Sequence, residues 1–185
     1  ESFTRHAFYI QDFWRVRPDL TLHLALRHEA DERYKDDLLV PRLGMVYQYT
    51  PNTTFKLTYG ESFRAHTAFE ISTLPTVLRQ LITEEPPEQV KQWEARIEHE
   101  FSSSLRVDAS LYRVEATDQL RYVYTLPTKF LLGESSTLNG IETSLLWRAQ
   151  DGSRLRASVS LLDGEYGSDG APLFNSPEQM LKLNY

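Results

Sequence analysis

The sequence predicts an all-β chain: a segment of an antiparallel, up-and-down transmembrane β-barrel of about nine strands. Three observations lead there. Apolar residues recur at every second position over many short stretches, the signature of strands with one apolar face. Short and long connections take turns along the whole chain. No run of ~20 apolar residues exists that could form a membrane helix.

The strands are read in order. Phe3 to Val16 is rich in aromatics without unbroken alternation, and is read as a strand partly from its neighbour. Leu20, Leu22, Leu24 and Leu26 then alternate with Thr21, His23, Ala25 and Arg27. Leu43, Met45, Tyr47 and Tyr49 oppose Arg42, Gly44, Val46 and Gln48, and Phe55, Leu57 and Tyr59 oppose Thr54, Lys56, Thr58 and Gly60. Glu88 to Phe101 fits two templates. Trp93, Ala95, Ile97, His99 and Phe101 alternate, while Val90, Trp93, Ile97 and Phe101 also make a helical stripe; the strand is preferred. Three further strands follow: Leu105, Val107, Ala109, Leu111; then Ile141, Thr143, Leu145, Trp147; then Leu155, Ala157, Val159, Leu161. Leu181, Leu183 and Tyr185 read as the start of another.

Arg17-Pro18-Asp19, Pro51-Asn52, Ser102-Ser103-Ser104 and Asp151-Gly152 suit hairpin turns. The other connections are longer: Asp31 to Leu39, Ala68 to Pro87, Tyr124 to Thr137 and Asp163 to Ser176. Val77, Leu78, Leu81 and Ile82 suggest a short amphipathic helix inside the longest. Short turns on one side and long loops on the other are what an outer-membrane barrel requires.

Alternation does not say which face meets solvent. A soluble, lipocalin-like barrel that binds a small apolar ligand would put the apolar face inside. Two further observations favour a membrane. Aromatics collect at the ends of apolar faces (Tyr47, Tyr49, Tyr59, Trp93, Phe101, Trp147, Tyr185), where interfacial girdles sit. Each apolar face spans ~9–11 residues, enough to cross when tilted at ~45°. The opposite face carries charges of both signs, among them Lys56, Glu94, Arg96, Glu98, Glu100, Arg106, Asp108, Glu142, Arg148, Arg156 and Lys182, which a soluble exterior would accept equally well.

Composition narrows the chemistry. The 185 residues carry 20 Lys plus Arg against 26 Asp plus Glu, a net charge of −6, which argues against nucleic acid as a partner. Mean hydropathy is −0.45, a value alternating strands reach by averaging. Without cysteine there is no disulfide framework, thiolate metal site or cysteine nucleophile. The five histidines form no metal-ligand motif, and His23 and His28 fall on opposite faces of one strand. Glu94, Glu98 and Glu100 share a face with Arg96 between them and Arg106 on the next strand, so a salt-bridge ladder is expected there rather than a catalytic carboxylate pair. Ser102 to Ser104 read as a turn without Ser–His–Asp logic. Neither enzyme, cofactor nor metal centre is expected, although a small outer-membrane barrel enzyme stands as a third reading.

Four stretches carry a resemblance. Tyr9 to Arg27 (YIQDFWRVRPDLTLHLALR) is similar to the strand–turn–strand stretch of TonB-dependent outer-membrane receptors. Pro41 to Ala65 (PRLGMVYQYTPNTTFKLTYGESFRA) resembles their Pro-Arg-Leu-Gly strand, Pro-x-Thr-Thr turn and Phe-Arg-Ala ending. Asn139 to Arg148 (NGIETSLLWR) and Asn175 to Lys182 (NSPEQMLK) resemble two further barrel segments, in the family's order. His66 stands where the family has proline. Glu84-Glu85-Pro86-Pro87-Glu88 stands where it has an Asn-Pro-x-Leu-x-Pro-Glu element.

The resemblance implies a barrel of about 22 strands in a bacterial outer membrane, closed by a separate plug. Residues 1–185 are then expected to be one part of that barrel domain, the plug and remaining strands lying elsewhere in a longer protein. It implies energised uptake of a scarce nutrient such as an iron–siderophore or cobalamin, with membrane lipid around the wall and the TonB complex engaged through the plug. Arg64, Arg79, Arg121, Tyr122 and Tyr124 fall at the outer mouth, where arginine meets an anionic chelate and tyrosine stacks on it.

Overall fold

A computed structural model describes residues 4–32, 34, 36–67, 87–123, 129–167, 170–173 and 176–185. Ten strands make one antiparallel sheet. They are β1 (Arg5–Arg17), β2 (Leu20–Asp31), β3 (Leu38–Thr50), β4 (Thr53–Arg64), β5 (Glu88–Ser102), β6 (Leu105–Val123), β7 (Lys129–Arg148), β8 (Arg154–Tyr166), β9 (Ala171–Pro172) and β10 (Gln179–Asn184). The order β1-β2-β3-β4-β5-β6-β7-β8-β10 is a pure meander, with the two-residue β9 set against the outer end of β8. β1 and β10 end the path and do not pair with each other, so the sheet is open.

Register turns each strand's alternation into continuous rows. One row runs Trp14–Leu22–Met45–Leu57–Ala95–Leu111–Ile141–Leu161. The adjacent row, on the opposite face, runs Phe13–His23–Gly44–Thr58–Glu94–Tyr112–Gly140–Leu162. Paired residues project to the same side, so one face is apolar across eight strands and the other polar.

The two faces differ in exposure, and this decides the orientation. On the apolar face Leu57 is 42% exposed, Leu111 57% and Val159 44%; on the polar face Ala25 is 7% and Ser110 4% exposed. A water-soluble barrel has the reverse arrangement. The sheltered side is polar and the open side is leucine, so hydrocarbon is the solvent for which this surface is built. Tyr59 and Trp93 pack with ring centroids 4.2 Å apart at one limit of the apolar band. Tyr49, Phe101 and Trp147 sit beside the short turns at the other. One position past the Tyr59–Trp93 limit, the same face carries Glu61 and Lys91, which pair in the ladder.

The four tight turns form as read. In the β3–β4 turn Asn52 N donates to Thr50 Oγ1 at 3.3 Å. In the β5–β6 turn Ser104 N and Leu105 N donate to Ser102 Oγ at 3.3 and 3.1 Å. In the β7–β8 turn Ser153 N donates to Asp151 Oδ1 at 2.9 Å. Glu88–Ser102 is a strand, with Val90 facing away from Trp93.

Two long connections are shorter than expected. β7 starts at Lys129, so most of Tyr124 to Thr137 is strand, and β8 runs on to Tyr166. Alternation hides this because the β6–β7 ladder slips between Ala116 and Gln119 and again between Gln119 and Arg121. Each slip adds residues to one strand and breaks the period. Asp118 (φ 57°) and Gly133 (φ 71°) adopt the left-handed backbone at these slips. Val77, Leu78, Leu81 and Ile82 lie outside the described residues.

Candidate functional site

The inner wall is a mesh of ion pairs set by register. Residues 94, 96, 98 and 100 of β5 face 112, 110, 108 and 106 of β6 on the sheltered side. Directly opposite pairs include like charges, Lys56 with Arg96 and Glu98 with Asp108. Left alone these would repel. Diagonal contacts neutralise them. Glu98 takes Lys56 Nζ at 2.5 Å and Arg106 Nη2 at 2.7 Å. Arg96 turns to Glu94 at 3.0 Å, and Ser144 Oγ donates to Asp108 at 2.8 Å. The expected ladder of Glu94, Arg96, Glu98 and Arg106 therefore forms, and extends to Lys56. Across β6–β10 the wall opens into a polar hollow of about 350 Å³, with Arg156 and Lys182 among its lining.

The outer rim is a second set of pairs that ties the loop bases together. Arg64 closes β4 with a two-pronged grip on Glu88, Nε to Oε2 at 2.7 Å and Nη2 to Oε1 at 2.5 Å. Glu88 opens β5 and also accepts Leu120 N of β6 at 3.1 Å, so one carboxylate joins three strands. His66 N donates to Tyr34 Oη at 3.0 Å, linking the β4–β5 connection to the β2–β3 connection. Glu29 is fully buried with Arg27 against it and Arg5 Nε 3.0 Å away.

The sequence-predicted site residues divide against this frame. Arg64 is at the outer end of β4, and its bond to Glu88 fixes the guanidinium at the rim. Arg121 and Tyr122 lie in the outer extension of β6, paired in the ladder with Leu131 and Phe130. Arg79 and Tyr124 lie outside the described residues. Glu88, Tyr34, His66 and Glu29 escaped sequence reasoning. Each matters through a partner 10 or more residues away, and single-strand periodicity carries no such information. Among the described residues no group of three His, Asp or Glu is placed to hold a metal.

Comparison with known proteins agrees with the geometry. The sequence model of the family described as "TonB dependent receptor-like, beta-barrel" matches residues 1–185. Comparison with curated proteins finds no match. Among solved structures, the copper transporter OprC is similar with a TM-score of 0.78 at 16% identity, over 98% of this chain and 32% of that one. The siderophore receptor PirA from Pseudomonas aeruginosa gives 0.72 at 15% identity, over 89% and 33%. The alcaligin outer-membrane receptor FauA from Bordetella pertussis gives 0.68 at 16% identity, over 98% and 33%. The chain spans about a third of the length of these structures.

Proposed function

The chain belongs to the TonB-dependent receptor β-barrel family, and from that premise we propose that it forms part of the wall and outer mouth of a receptor importing a scarce, chelated metal nutrient. The barrel stands in the bacterial outer membrane. An iron–siderophore or cobalamin is the proposed class of cargo. The observation that carries the reading is the inverted sheet, apolar on its open face and ion-paired on its sheltered one. Such a wall encloses a polar lumen rather than an apolar ligand. The rest of the barrel and a plug, both elsewhere in the polypeptide, complete the proposed receptor, and the plug transmits energy from the TonB complex.

Cargo would be met at the outer end. Arg64, Arg79, Arg121, Tyr122 and Tyr124 are the proposed contacts, arginine for the anionic groups of a chelate and tyrosine for its rings. Arg64 plays this part with Glu88 holding its position. Chemistry on the cargo is not required: import demands capture and release, and the wall supplies a stable, hydrated frame for both.

The test is uptake by cells expressing the whole receptor, supplied in turn with labelled ferric siderophores, cobalamin and copper salts. Accumulation of one chelated cargo that stops when the proton gradient is collapsed is the expected result. Accumulation indifferent to the gradient, or none for any metal cargo, refutes the reading.

A further inference from the structure

Among the described residues, the ion pairs of the sheltered face stop at β6. Beyond it the register groups cations without acids. Arg148 lies directly opposite Arg154, the two residues that flank the β7–β8 turn. Arg156 of β8 lies opposite Leu146 of β7 and Asn184 of β10, with Ser144, Arg148 and Lys182 on its diagonals. Lys182 lies opposite Ser158, with Arg156 and Ser160 on its diagonals. None of these positions is acidic. Like charges also meet at Lys56–Arg96, but there Glu98 and Glu94 answer them. No carboxylate among the described residues pairs with Arg148, Arg154, Arg156 or Lys182. The acids nearest in the wall, Asp108 and Glu142, line the far side of the same hollow. They accept Ser144 Oγ at 2.8 Å and Tyr112 Oη at 3.3 Å.

Solvated cations need no permanent counter-charge, so a wet lumen tolerates this group. Its donors are therefore uncommitted, unlike those of Lys56, Arg96 and Arg106. A guanidinium offers its N–H groups as a planar fork that matches the two oxygens of a carboxylate or phosphate. Space is available as well. Ser144, Ser158 and Ser160 are small, and the hollow they line with Arg156 and Lys182 holds about 350 Å³. That is within the range of roughly 300–1,000 Å³ found for small-ligand sites.

Resting on the reading of the chain as receptor wall, we propose that Arg148, Arg154, Arg156 and Lys182 form an oxyanion site, a second station for cargo at the turn end of the barrel. Its ligand class is a chelate carrying several carboxylate or phosphate groups. From Glu88, at the level of Arg64, to Glu100, at the level of Arg156, β5 runs about 40 Å. The site is thus separate from the mouth. The mouth captures the anion, and this sector receives it after it has crossed the span.

Labelling of one introduced thiol tests the site. Ser160→Cys, in the lining of the hollow, is made in the full-length receptor, which is held in lipid discs at low salt and treated with methanethiosulfonates of either charge. The anionic reagent is expected to react several-fold faster than the cationic one, and citrate or inorganic phosphate to slow it. Protection by citrate alone assigns carboxylate, and by phosphate alone assigns phosphate. Both effects should vanish in Arg156→Gln/Lys182→Gln and persist in Arg156→Lys/Lys182→Arg. Equal rates for the two reagents, or no protection by either anion, overturns the site. Silence toward both reagents means that a resident protein segment covers the hollow, and overturns it too. Ser158→Cys repeats the measurement if Ser160→Cys does not assemble. Gradient-dependent uptake reads the underlying proposal separately. Import without protection sinks the site alone, whereas protection without import of any chelate sinks the receptor reading and leaves only an anion site.

Discussion

Gly140 shows how closely single residues are fitted in the wall. It pairs with Tyr112, whose ring lies over its backbone, and a Cβ built there would fall 2.2 Å from Tyr112 Cζ. Any side chain must therefore push the ring off. Gly140→Ala is expected to cost about 1–3 kcal/mol, measured by urea unfolding of the receptor in lipid vesicles, and Tyr112→Ala in the same chain should recover much of it. Asp151 acts differently, from a fully exposed turn. Its carboxylate accepts the Ser153 backbone N–H at 2.9 Å, and this bond, with one from the Ser153 hydroxyl, holds it below the usual carboxylate range. A depressed folded-state pKa contributes stability above the unfolded value of about 3.8 and loses it as pH falls through the folded value. Asp151→Asn should therefore melt below the native receptor at pH 6, and the difference should close in more acid solution.

At the scale of elements, the longest hairpin is β6–β7. Its ladder continues past two slips to Val123 and Lys129, well beyond the level where Glu61 and Lys91 end the apolar band. This part stands outside the bilayer, and it carries Arg121 and Tyr122. Leu120 N bonded to Glu88 marks where it leaves the rim. Removing residues 121–132 and closing the hairpin with a short turn is expected to leave the barrel assembled while weakening cargo capture, as judged by binding of a labelled chelate to intact cells. Failure of the shortened receptor to assemble would make the extension a folding element instead. Its extent was not legible in the sequence. K-F-L-L-G-E-S-S at 129–136 shows no alternation, and only the pairing with β6 makes it a strand.

At the scale of the whole sheet, the described residues form a single layer, with no apolar core of the usual kind among them. Its described buried apolar residues, Ala25, Val40, Ala116 and Leu120, are few and mostly small. Stability must come from backbone pairing, from lipid on the leucine face and from the ion-pair mesh within. Nitroxides placed at Leu24, Leu57, Leu145 and Val159 should be quenched by membrane-soluble reagents. Labels at Thr58 and Ser110, on the polar face, should respond to aqueous reagents. The opposite pattern would place the leucines inside and refute the orientation. A sheet open at β1 and β10 also leaves two edges that hydrocarbon does not accept. In the proposed receptor, further strands would close both edges.

The sequence by itself determined the strands apart from the outer β6–β7 extension and β9, their tight turns and the separation of polar from apolar faces, because these depend on neighbours two positions apart. It also determined that Glu94, Arg96, Glu98 and Arg106 share a face, since alternation places them there. Only the tertiary structure decided which face is sheltered, because L-x-L-x-L reads the same in a soluble barrel and in a membrane. It alone joined Arg64 to Glu88 across 24 residues and bridged Tyr34 to His66. Those contacts depend on register between strands. Register is fixed by the summed pairing of whole ladders, which no single stretch of sequence contains.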